Sequence, residues 1–392
     1  MKMIILGGGI TGRTLALAVA ALSAGRVQVE IIDTVSENNR QKYSTDNYAI
    51  ALAYGTCQQL ERIGAWKELN SFATPIESIY VSDQGGYGSV VFRSLDYKIP
   101  YLGQVIQLHQ AAAILLRLLE KAPGVRIFGP GTVVGVIQEQ DNATINLDNG
   151  TILTGKLLVA ADGSPSLLAK HCKINYRNKN YDQIAVIANV ITSNAHQGKA
   201  FERFTPDGPL AMLPMSKAGC ALVWCHSVNN QNEIRGWNDI EFLQHLQKMF
   251  GWRLGKIIKT GKRHYYPLNL RWADQHITHR IALVGNAAQN LHPIAGQGFN
   301  LALRDVISLA ETIVQAELQG HDIGSYKVLS CYKKRRAPDQ QLTIRMTDGL
   351  INLFANSLTP LVIGRNVAMM AIDLLPTLRE NLARRTLGWV QR

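Results

Sequence analysis

The sequence predicts an α/β fold with three parts: a Rossmann-like nucleotide-binding domain, an interleaved and mostly antiparallel β-sheet domain, and a helical C-terminal region. Three observations support this prediction. A strand, a glycine-rich turn, a helix and a second strand follow one another over residues 3–33. A strand-rich stretch covers residues 184–225, and apolar residues recur at helical spacing after Gly298.

The two domains are predicted to be discontinuous in the sequence. Two apolar strands, at residues 157–161 and 281–284, lie on either side of the strand-rich stretch, so the chain leaves the first domain and returns to it. The predicted boundaries are 1–70, 100–180 and 275–330 for the nucleotide-binding domain, 71–99 and 181–274 for the sheet domain, and 331–392 for the helical region.

Composition narrows the class of protein. The 392 residues are 46% hydrophobic, and the five cysteines include no Cys-x-x-Cys pair, so we expect no disulfide framework and no metal site. No uncharged apolar run reaches 18 residues, so we expect no transmembrane helix, and the glycines that interrupt the first apolar stretch argue against an export signal. We therefore expect a cytoplasmic protein.

The net charge of +12 is concentrated at the C-terminal end. From residue 330 onward there are ten Lys and Arg residues and four Asp and Glu residues. Such an end attracts anionic lipids, nucleic acid or acidic proteins, although a solvated helical face has the same composition. No basic groove with interleaved aromatic residues is recognisable, so we expect no nucleic-acid partner.

The glycine-rich turn has the spacing of a dinucleotide-binding motif. Gly7 permits a tight turn after the first strand, Gly9 lets a pyrophosphate approach the backbone, and Gly12 lets the helix pack closely on the strand. Asp33 follows Gly12 by 21 residues, at the end of the second strand, where an acid binds a ribose. The motif alone does not distinguish NAD from FAD, and glycine-rich turns also occur without a ligand.

Two later motifs favour FAD. Asp162-Gly163 directly follows one apolar strand, and Gly285-Asn286 follows another and leads through residues 292–300 into a long helix. A loop that ends at a helix N-terminus offers amide donors and a positive dipole. That environment suits a reduced flavin, which carries negative charge on its pyrimidine ring.

These motifs resemble the flavoprotein aromatic hydroxylases of the para-hydroxybenzoate hydroxylase class. The resemblance extends to the branch of that class that acts in ubiquinone biosynthesis, and it covers the whole chain. The runs that carry it are residues 54–60, 201–204, 208–214, 285–289, 293–300 and 385–389.

The resemblance implies an FAD-dependent monooxygenase that uses NAD(P)H and O2. The implied substrate is a polyprenylated phenol, converted from 2-polyprenyl-6-methoxyphenol to 2-polyprenyl-6-methoxy-1,4-benzoquinol through a flavin C4a-hydroperoxide. The protein's implied tasks are to position the phenol and exclude water.

The resemblance also implies a role for each motif residue. The residues that it assigns to FAD are Gly7, Gly9, Gly12 and Asp33 for the ADP moiety, Asp162 and Gly163 for the pyrophosphate region, Asn286 for the ribitol, and Pro293, Gly296, Gly298 and Asn300 for the isoalloxazine ring. Pro293 and His292 are the candidate catalytic residues; His292 could move a proton beside the flavin or could simply hydrogen-bond the backbone. Tyr265 and Tyr266 could orient a phenol.

The sequence departs from the broad pattern of the class at four positions. Asn286 replaces an Asp and Gln289 replaces a His, and both replacements fit the ubiquinone branch. Tyr48 and Ala169 stand where many relatives have Arg. The missing cations make the binding site for the nicotinamide cofactor the least defined part of the prediction.

Other functions and partners stay open at this point. The alternatives are an FAD-dependent reductase or dehydrogenase of an isoprenoid substrate, and a non-catalytic subunit of a quinone-biosynthetic complex. The apolar stretch 358–375 could lie on a membrane surface, dock onto a partner, or pack as an ordinary helix. A membrane contact would place the protein peripherally on the inner face of the membrane.

Overall fold

A computed structural model of the chain describes residues 1–34, 48–216, 218–354 and 358–388. Within these ranges, six strands form a central sheet in the order β19-β20-β12-β1-β2-β8, parallel except for the β19–β20 pair. Nearly continuous apolar runs form its inner strands because both faces are buried. The strands are β1 (Lys2–Leu6), β2 (Gln28–Ile32), β8 (Val125–Phe128), β12 (Leu157–Ala160), β19 (Ile277–Thr278) and β20 (Ile281–Leu283).

Alternate residues of β1 belong to two different apolar cores. Met3 and Ile5 pack with helices on one face of the central sheet, whereas Ile4 and Leu6 pack with a small antiparallel sheet on the other. The small sheet has the order β11-β10-β9 and comprises β9 (Val133–Gln138), β10 (Ala143–Leu147) and β11 (Ile152–Gly155).

A second large sheet holds nine of the described strands, in the order β21-β18-β13-β16-β15-β14-β5-β6, with β17 also paired to β13. Its pairs are antiparallel except β14–β5. The strands are β5 (Ser78–Asp83), β6 (Ser89–Arg93), β13 (Tyr176–Thr192), β14 (Lys199–Thr205), β15 (Gly208–Pro214), β16 (Gly219–Ser227), β17 (Ile257–Thr260), β18 (His264–Ala273) and β21 (Gln289–Asn290).

Helices pack on both large sheets, and a second small sheet shares an apolar cluster with each of them. That sheet has the order β3-β7-β4, with β3 (Ala49–Ala53), β4 (Thr74–Ile76) and β7 (Gly103–Gln107). The described helices are α1 (Ile10–Ser23), α2 (Tyr54–Arg62), α3 (Trp66–Asn70), α4 (Leu108–Glu120), α5 (Leu167–His171), α6 (Gln231–Gly236), α7 (Asp239–Phe250), α8 (Gln297–Leu318), α9 (Tyr326–Phe354), α10 (Thr359–Leu374) and α11 (Pro376–Thr386), with short 3-10 turns at Ser94–Tyr97, Val228–Asn230, Gly285–Ala287 and Ile294–Gly296.

The α/β class, the antiparallel second sheet and the helical C-terminal region are confirmed. The domain boundaries stay a prediction, and the single strand β13 spans the boundary placed between residues 180 and 181. Trp389, the last residue of the run 385–389 that contributed to the resemblance, lies outside the described residues.

Candidate active site

Four motif positions that are distant in the sequence meet at one edge of the central sheet. The strands β20, β12, β1 and β2 are neighbours and run parallel, so their carboxyl ends lie together. The glycine turn follows β1, Asp33 follows β2, Asp162 follows β12 and Gly285 lies just after β20. The carboxyl edge of such a sheet is where nucleotides bind in open α/β folds.

The three motif glycines are required for different reasons. Gly7 has a φ of +109°, and a Cβ there would lie 2.4 Å from the carbonyl oxygen of Ala161. A Cβ on Gly12 would lie 2.0 Å from the carbonyl oxygen of Gly7. Gly9, the N-cap of α1, has an ordinary φ of −73°, and a Cβ there would have no neighbour within 4 Å. The fold therefore requires Gly7 and Gly12, whereas Gly9 leaves open space at a helix N-terminus, where a pyrophosphate binds.

The Asp33 carboxylate lies directly against the glycine turn. Its side chain is buried, and a Cβ added to Gly8 would lie 2.2 Å from Asp33 Oδ2. An acid at this place is suited to bind the hydroxyls of a ribose that follows the pyrophosphate.

The two carboxylate oxygens of Asp162 differ in their hydrogen bonding: the described residues bind Oδ2 but not Oδ1. Oδ2 accepts hydrogen bonds from the amides of Leu167 and Leu168, at 2.7 and 3.3 Å. Oδ1 is buried and has no partner among the described residues. Burial raises the pKa of Asp162, although the hydrogen bonds to Ser166 and the α5 amides oppose that shift. A ligand hydroxyl would satisfy this orphaned acceptor.

The loop from Gly285 to α8 lies across the carboxyl edge. Gly285 has a φ of +60°, and a Cβ there would lie 2.8 Å from the side chain of Thr11 in α1. Asn286 is exposed just beyond β20. Pro293 caps the 3-10 turn, Gly296 caps α8 with a φ of +60°, and a Cβ on Gly298 would have no neighbour within 4 Å. The first turn of α8 is thus open to a ligand.

Asn300 ties this loop to the rest of the protein. Its Oδ1 accepts from the Ala53 amide at 2.8 Å and from Thr56 Oγ1 at 2.7 Å. Its Nδ2 donates to the carbonyl oxygens of Ala51 at 3.0 Å and Gly296 at 2.7 Å. Since these bonds occupy both ends of the amide, the structure shows Asn300 as a positioning residue. Its predicted contact with the isoalloxazine ring stays a prediction.

His292 is fully buried beside this loop and is held in one tautomer. Gln183 Nε2 donates to the carbonyl oxygen of Asp207 at 2.7 Å, which turns Gln183 Oε1 toward His292 Nε2 at 3.1 Å. Nε2 therefore donates its proton, and Nδ1 is left as an acceptor with no partner among the described residues. Burial lowers the pKa of His292 to about 4. His292 is thus a neutral acceptor at neutral pH, which does not fit a residue that takes up and releases a whole proton there.

The second large sheet presents small and apolar side chains to the Ile294 turn. Alternate residues of β15 and β16 pack with α7, and the intervening ones, among them Leu213 and Ala221, share an apolar cluster with Ile294. On the same face, the rings of Tyr48 and Tyr266 meet edge to face at 6.0 Å. Burial, with Tyr266 and Cys225 nearby, raises the pKa of Tyr48 to about 12. A planar, weakly polar ligand fits such a surface.

Tyr265 does not belong to this face. Its ring packs with the α7 side of the sheet, where the guanidinium of Arg235 lies over it at 4.7 Å. Of the two tyrosines considered from the sequence, only Tyr266 therefore shares the face of the Ile294 turn.

The structure contains a buried ionic network next to the loop between Gly285 and α8, and this network was not predicted from the sequence. Gln289 Nε2 donates to Asp305 Oδ2 at 2.7 Å, and Arg336 Nε donates to Asp305 Oδ1 at 2.7 Å. Arg336 also bonds Asp339, which pairs with Arg304. Burial opposes ionisation of Asp339, but the two arginines outweigh it and lower its pKa. The signal was present in the sequence as Arg304-Asp305 within the apolar stripe of α8.

Comparison with known proteins identifies the family. A family model described as "FAD binding domain" matches residues 1–347 of the chain. The chain belongs to this family of FAD-binding proteins. The ubiquinone hydroxylase UbiL of Rhodospirillum rubrum is 31% identical over 386 residues, which cover 98% of this chain and 89% of that protein. The 3-demethoxyubiquinol 3-hydroxylase of Escherichia coli is 29% identical and covers 99% of this chain and 98% of its own length.

The fold agrees with that of a solved structure. The crystal structure of p-nitrophenol 4-monooxygenase PnpA from Pseudomonas putida DLL-E4 superposes with a TM-score of 0.80 over 98% of both chains, at 18% identity. The chain is an FAD-dependent monooxygenase of the aromatic hydroxylase type. The orphaned oxygen of Asp162 and the open space at Gly9 and Gly298 fit the cofactor that the family binds.

The structure shows the surroundings of two of the four residues that depart from the broad pattern of the class. Ala169 is fully buried in the apolar core beside the central sheet. Tyr48 packs on the second sheet against Tyr266.

Proposed function

We propose that this flavoprotein hydroxylates the ring of a polyprenylated phenol in ubiquinone biosynthesis, with NAD(P)H as the reductant. The observation that carries the proposal is the apolar sheet face that packs against Ile294 of the loop 292–298 and also bears Tyr48 and Tyr266. The names of two relatives, each matched over nearly its whole length, support a hydroxylation in this pathway.

FAD, when bound, supplies the activated oxygen, and the protein's own residues supply binding and orientation. The open N-terminal turns of α1 and α8 offer backbone amides to the electron-rich parts of the cofactor. The apolar side chains of the sheet face limit the water beside the ring to be hydroxylated.

His292 is the group that we assign to the substrate hydroxyl. Its Nδ1 is a buried acceptor that no described residue contacts by a hydrogen bond, so it can hold a phenolic proton by a hydrogen bond and raise the electron density of the ring. Because the pKa of His292 is lowered to about 4, the imidazole polarises the hydroxyl at neutral pH and does not remove the proton completely.

The position on the ring is the finer part of the proposal. We propose 2-polyprenyl-6-methoxyphenol as the substrate and 2-polyprenyl-6-methoxy-1,4-benzoquinol as the product. The Escherichia coli relative carries the name of a 3-hydroxylase of demethoxyubiquinol, which is a different position of a related ring. The comparison therefore supports the pathway, and the substrate has to be tested directly.

The test uses the purified FAD-loaded protein with short-chain analogues of both rings. We expect NAD(P)H oxidation that depends on the methoxyphenol analogue, with one atom of 18O2 incorporated into the product. Hydroxylation of the demethoxyubiquinol analogue alone would show that the position is wrong. Reduction of either analogue without oxygen uptake would instead show a reductase.

A second measurement separates an enzyme from a non-catalytic subunit. We expect a strain that lacks the protein to accumulate 2-polyprenyl-6-methoxyphenol. Unchanged quinone content, or a purified protein that stays colourless after incubation with FAD, would contradict the proposed function.

A further inference from the structure

Helix α10 exposes a continuous apolar stripe, the α10 apolar face, formed by Ile363, Val367, Met370 and Leu374. Their exposed fractions are 59%, 59%, 47% and 75%. The spacing of four, three and four residues places all of them on one side of the helix. Contiguous apolar surface of this kind is uncommon on a protein that only contacts water.

The side of α10 that faces the protein carries its polar residues together with the buried Met369. Arg365 Nε donates to the buried Asp83 Oδ2 at 2.7 Å, and Asn366 Nδ2 donates to the same oxygen at 3.1 Å. The amides of Gly88 and Val91 donate to Asn366 and Asp373 at 2.8 and 3.0 Å. The polar residues of α10 therefore bond to the protein while four apolar side chains stay exposed, whereas an ordinary surface helix exposes its polar residues.

The orientation of α10 is fixed by specific bonds. A buried Arg–Asp pair costs several kcal/mol to break when one partner is removed, so rotation of α10 to hide its apolar side is unfavourable. The helix also contributes Met369 to the apolar cluster that contains Ile294, which lies in the loop between Gly285 and α8. The α10 apolar face is therefore a built feature of the surface, and a continuous apolar cluster lies between it and the site.

The charge around this face indicates what covers it. Helix α11 turns away from α10 by 96° and carries the exposed Arg384 and Arg385. Helix α11 as a whole has three arginines and one glutamate, which gives it a net charge of +2. Aliphatic side chains beside arginines suit a bilayer whose headgroups are anionic. Among the described residues no single helix is long and apolar enough to span a membrane; only the bent pair of α10 and α11 passes that test together.

We propose that the α10 apolar face lies in the surface of an anionic lipid bilayer, with the arginines of α11 on the lipid phosphates. The contact holds the enzyme at the place where a polyprenylated ring is dissolved, and the apolar cluster behind α10 offers a path for the chain. This link to the substrate rests on the proposed function, whereas the lipid contact does not.

The test is co-sedimentation of the full-length, FAD-loaded protein with vesicles, in the absence of substrate. The variant is Ile363→Glu with Val367→Glu, and the control is Ile240→Glu, which changes a residue of α7 that is 70% exposed. We expect the wild-type protein and the control to bind phosphatidylcholine–phosphatidylglycerol vesicles, and the double variant to bind about tenfold or more weakly. The flavin spectrum and Tm verify that both variants fold.

Three outcomes overturn the proposal. If the wild-type protein does not bind the mixed vesicles, or binds pure phosphatidylcholine vesicles equally well, it does not recognise an anionic lipid surface. An equal loss in the Ile240→Glu control shows that the effect is not specific to α10. A concentration-dependent dimer that the double variant abolishes shows that a second copy covers the face. Since no substrate is present, failure here leaves the proposed hydroxylation unaffected.

Discussion

Single residues of the site differ in whether the fold or the ligand requires them. Gly12 has no room for a Cβ because the carbonyl oxygen of Gly7 would lie 2.0 Å away. Gly9 has an ordinary φ and open space, so no contact within the protein requires a glycine there. His292 illustrates a third case, since one of its buried nitrogen atoms has no partner in the described part of the chain.

Gly9→Ala is expected to weaken FAD binding while leaving the apoprotein intact. The added methyl group meets no protein atom within 4 Å but occupies the space of the pyrophosphate. We expect an affinity for FAD about tenfold or more lower, measured by fluorescence titration. The control is Gly349→Ala in α9, whose Cβ also meets nothing and which should leave FAD affinity unchanged. An unchanged affinity in Gly9→Ala would mean that the pyrophosphate lies elsewhere.

His292 is expected to make the protein less stable in acid. Its pKa is about 4 in the folded state and near 6.5 when unfolded, so the unfolded chain binds a proton first as the pH falls. The wild type should lose roughly 3 kcal/mol through this residue between about pH 6.5 and pH 4. In His292→Asn this loss is absent, so the stability gap between the two proteins should change with pH in urea denaturation. A gap that is constant with pH would rule out a buried neutral histidine.

Helices α8 and α9 are joined by ionic contacts as well as by apolar packing. Asp305 on α8 is completely buried and accepts hydrogen bonds from Gln289, Arg336 and Gln340. The network therefore couples the helix pair to the loop that leads to the flavin site. A helix with a charged residue in its apolar stripe needs a partner helix that brings the opposite charge.

Asp305→Asn is expected to destabilise the protein strongly. Removal of the charge leaves the buried Arg336 and Arg304 to share the single carboxylate of Asp339, which costs about 3–5 kcal/mol. Chemical denaturation measures this loss. The matched control is Glu380→Gln, which removes an exposed pair with Arg384 on α11 and should cost below about 1 kcal/mol. Equal effects of the two changes would show that the buried network does not contribute as described.

At the scale of the whole molecule, the site exists only when distant segments assemble. The glycine turn, Asp162 and Gly285 come from three separate parts of the chain and meet because β1, β12 and β20 pair. The second sheet then covers the loop that follows Gly285. Cofactor binding and folding of the central sheet are therefore coupled.

FAD is expected to stabilise the entire chain against unfolding. A ligand that binds only the folded state adds about 2.7 kcal/mol at a concentration of 100 times its Kd. We expect the Tm of the apoprotein to rise with FAD concentration in calorimetry, with a single transition that moves as a unit. A split transition, in which only part of the chain responds, would show that the second sheet unfolds independently.

Local patterns predicted the elements that depend on near neighbours. The strand, turn and helix of residues 3–23 follow from an apolar run, closely spaced glycines and an alanine-rich segment, and the structure has them at nearly those positions. The long helix after Gly298 follows from apolar residues at helical spacing. The structural role of Asn300 was not predictable, because its four partners lie on β3, α2 and the site loop.

The sequence by itself determined the fold class and the glycine motif, since these depend on periodicity and on spacings within short segments, and its motifs resembled those of a known flavoprotein family. Only the tertiary structure decided that His292 is a neutral acceptor, that Asp305 joins two helices, and that α10 turns its polar residues inward. Each of these depends on a partner more than 25 residues away, and on burial that only the assembled chain creates. The glycine turn was visible from the start, but its unfilled space at Gly9 was not.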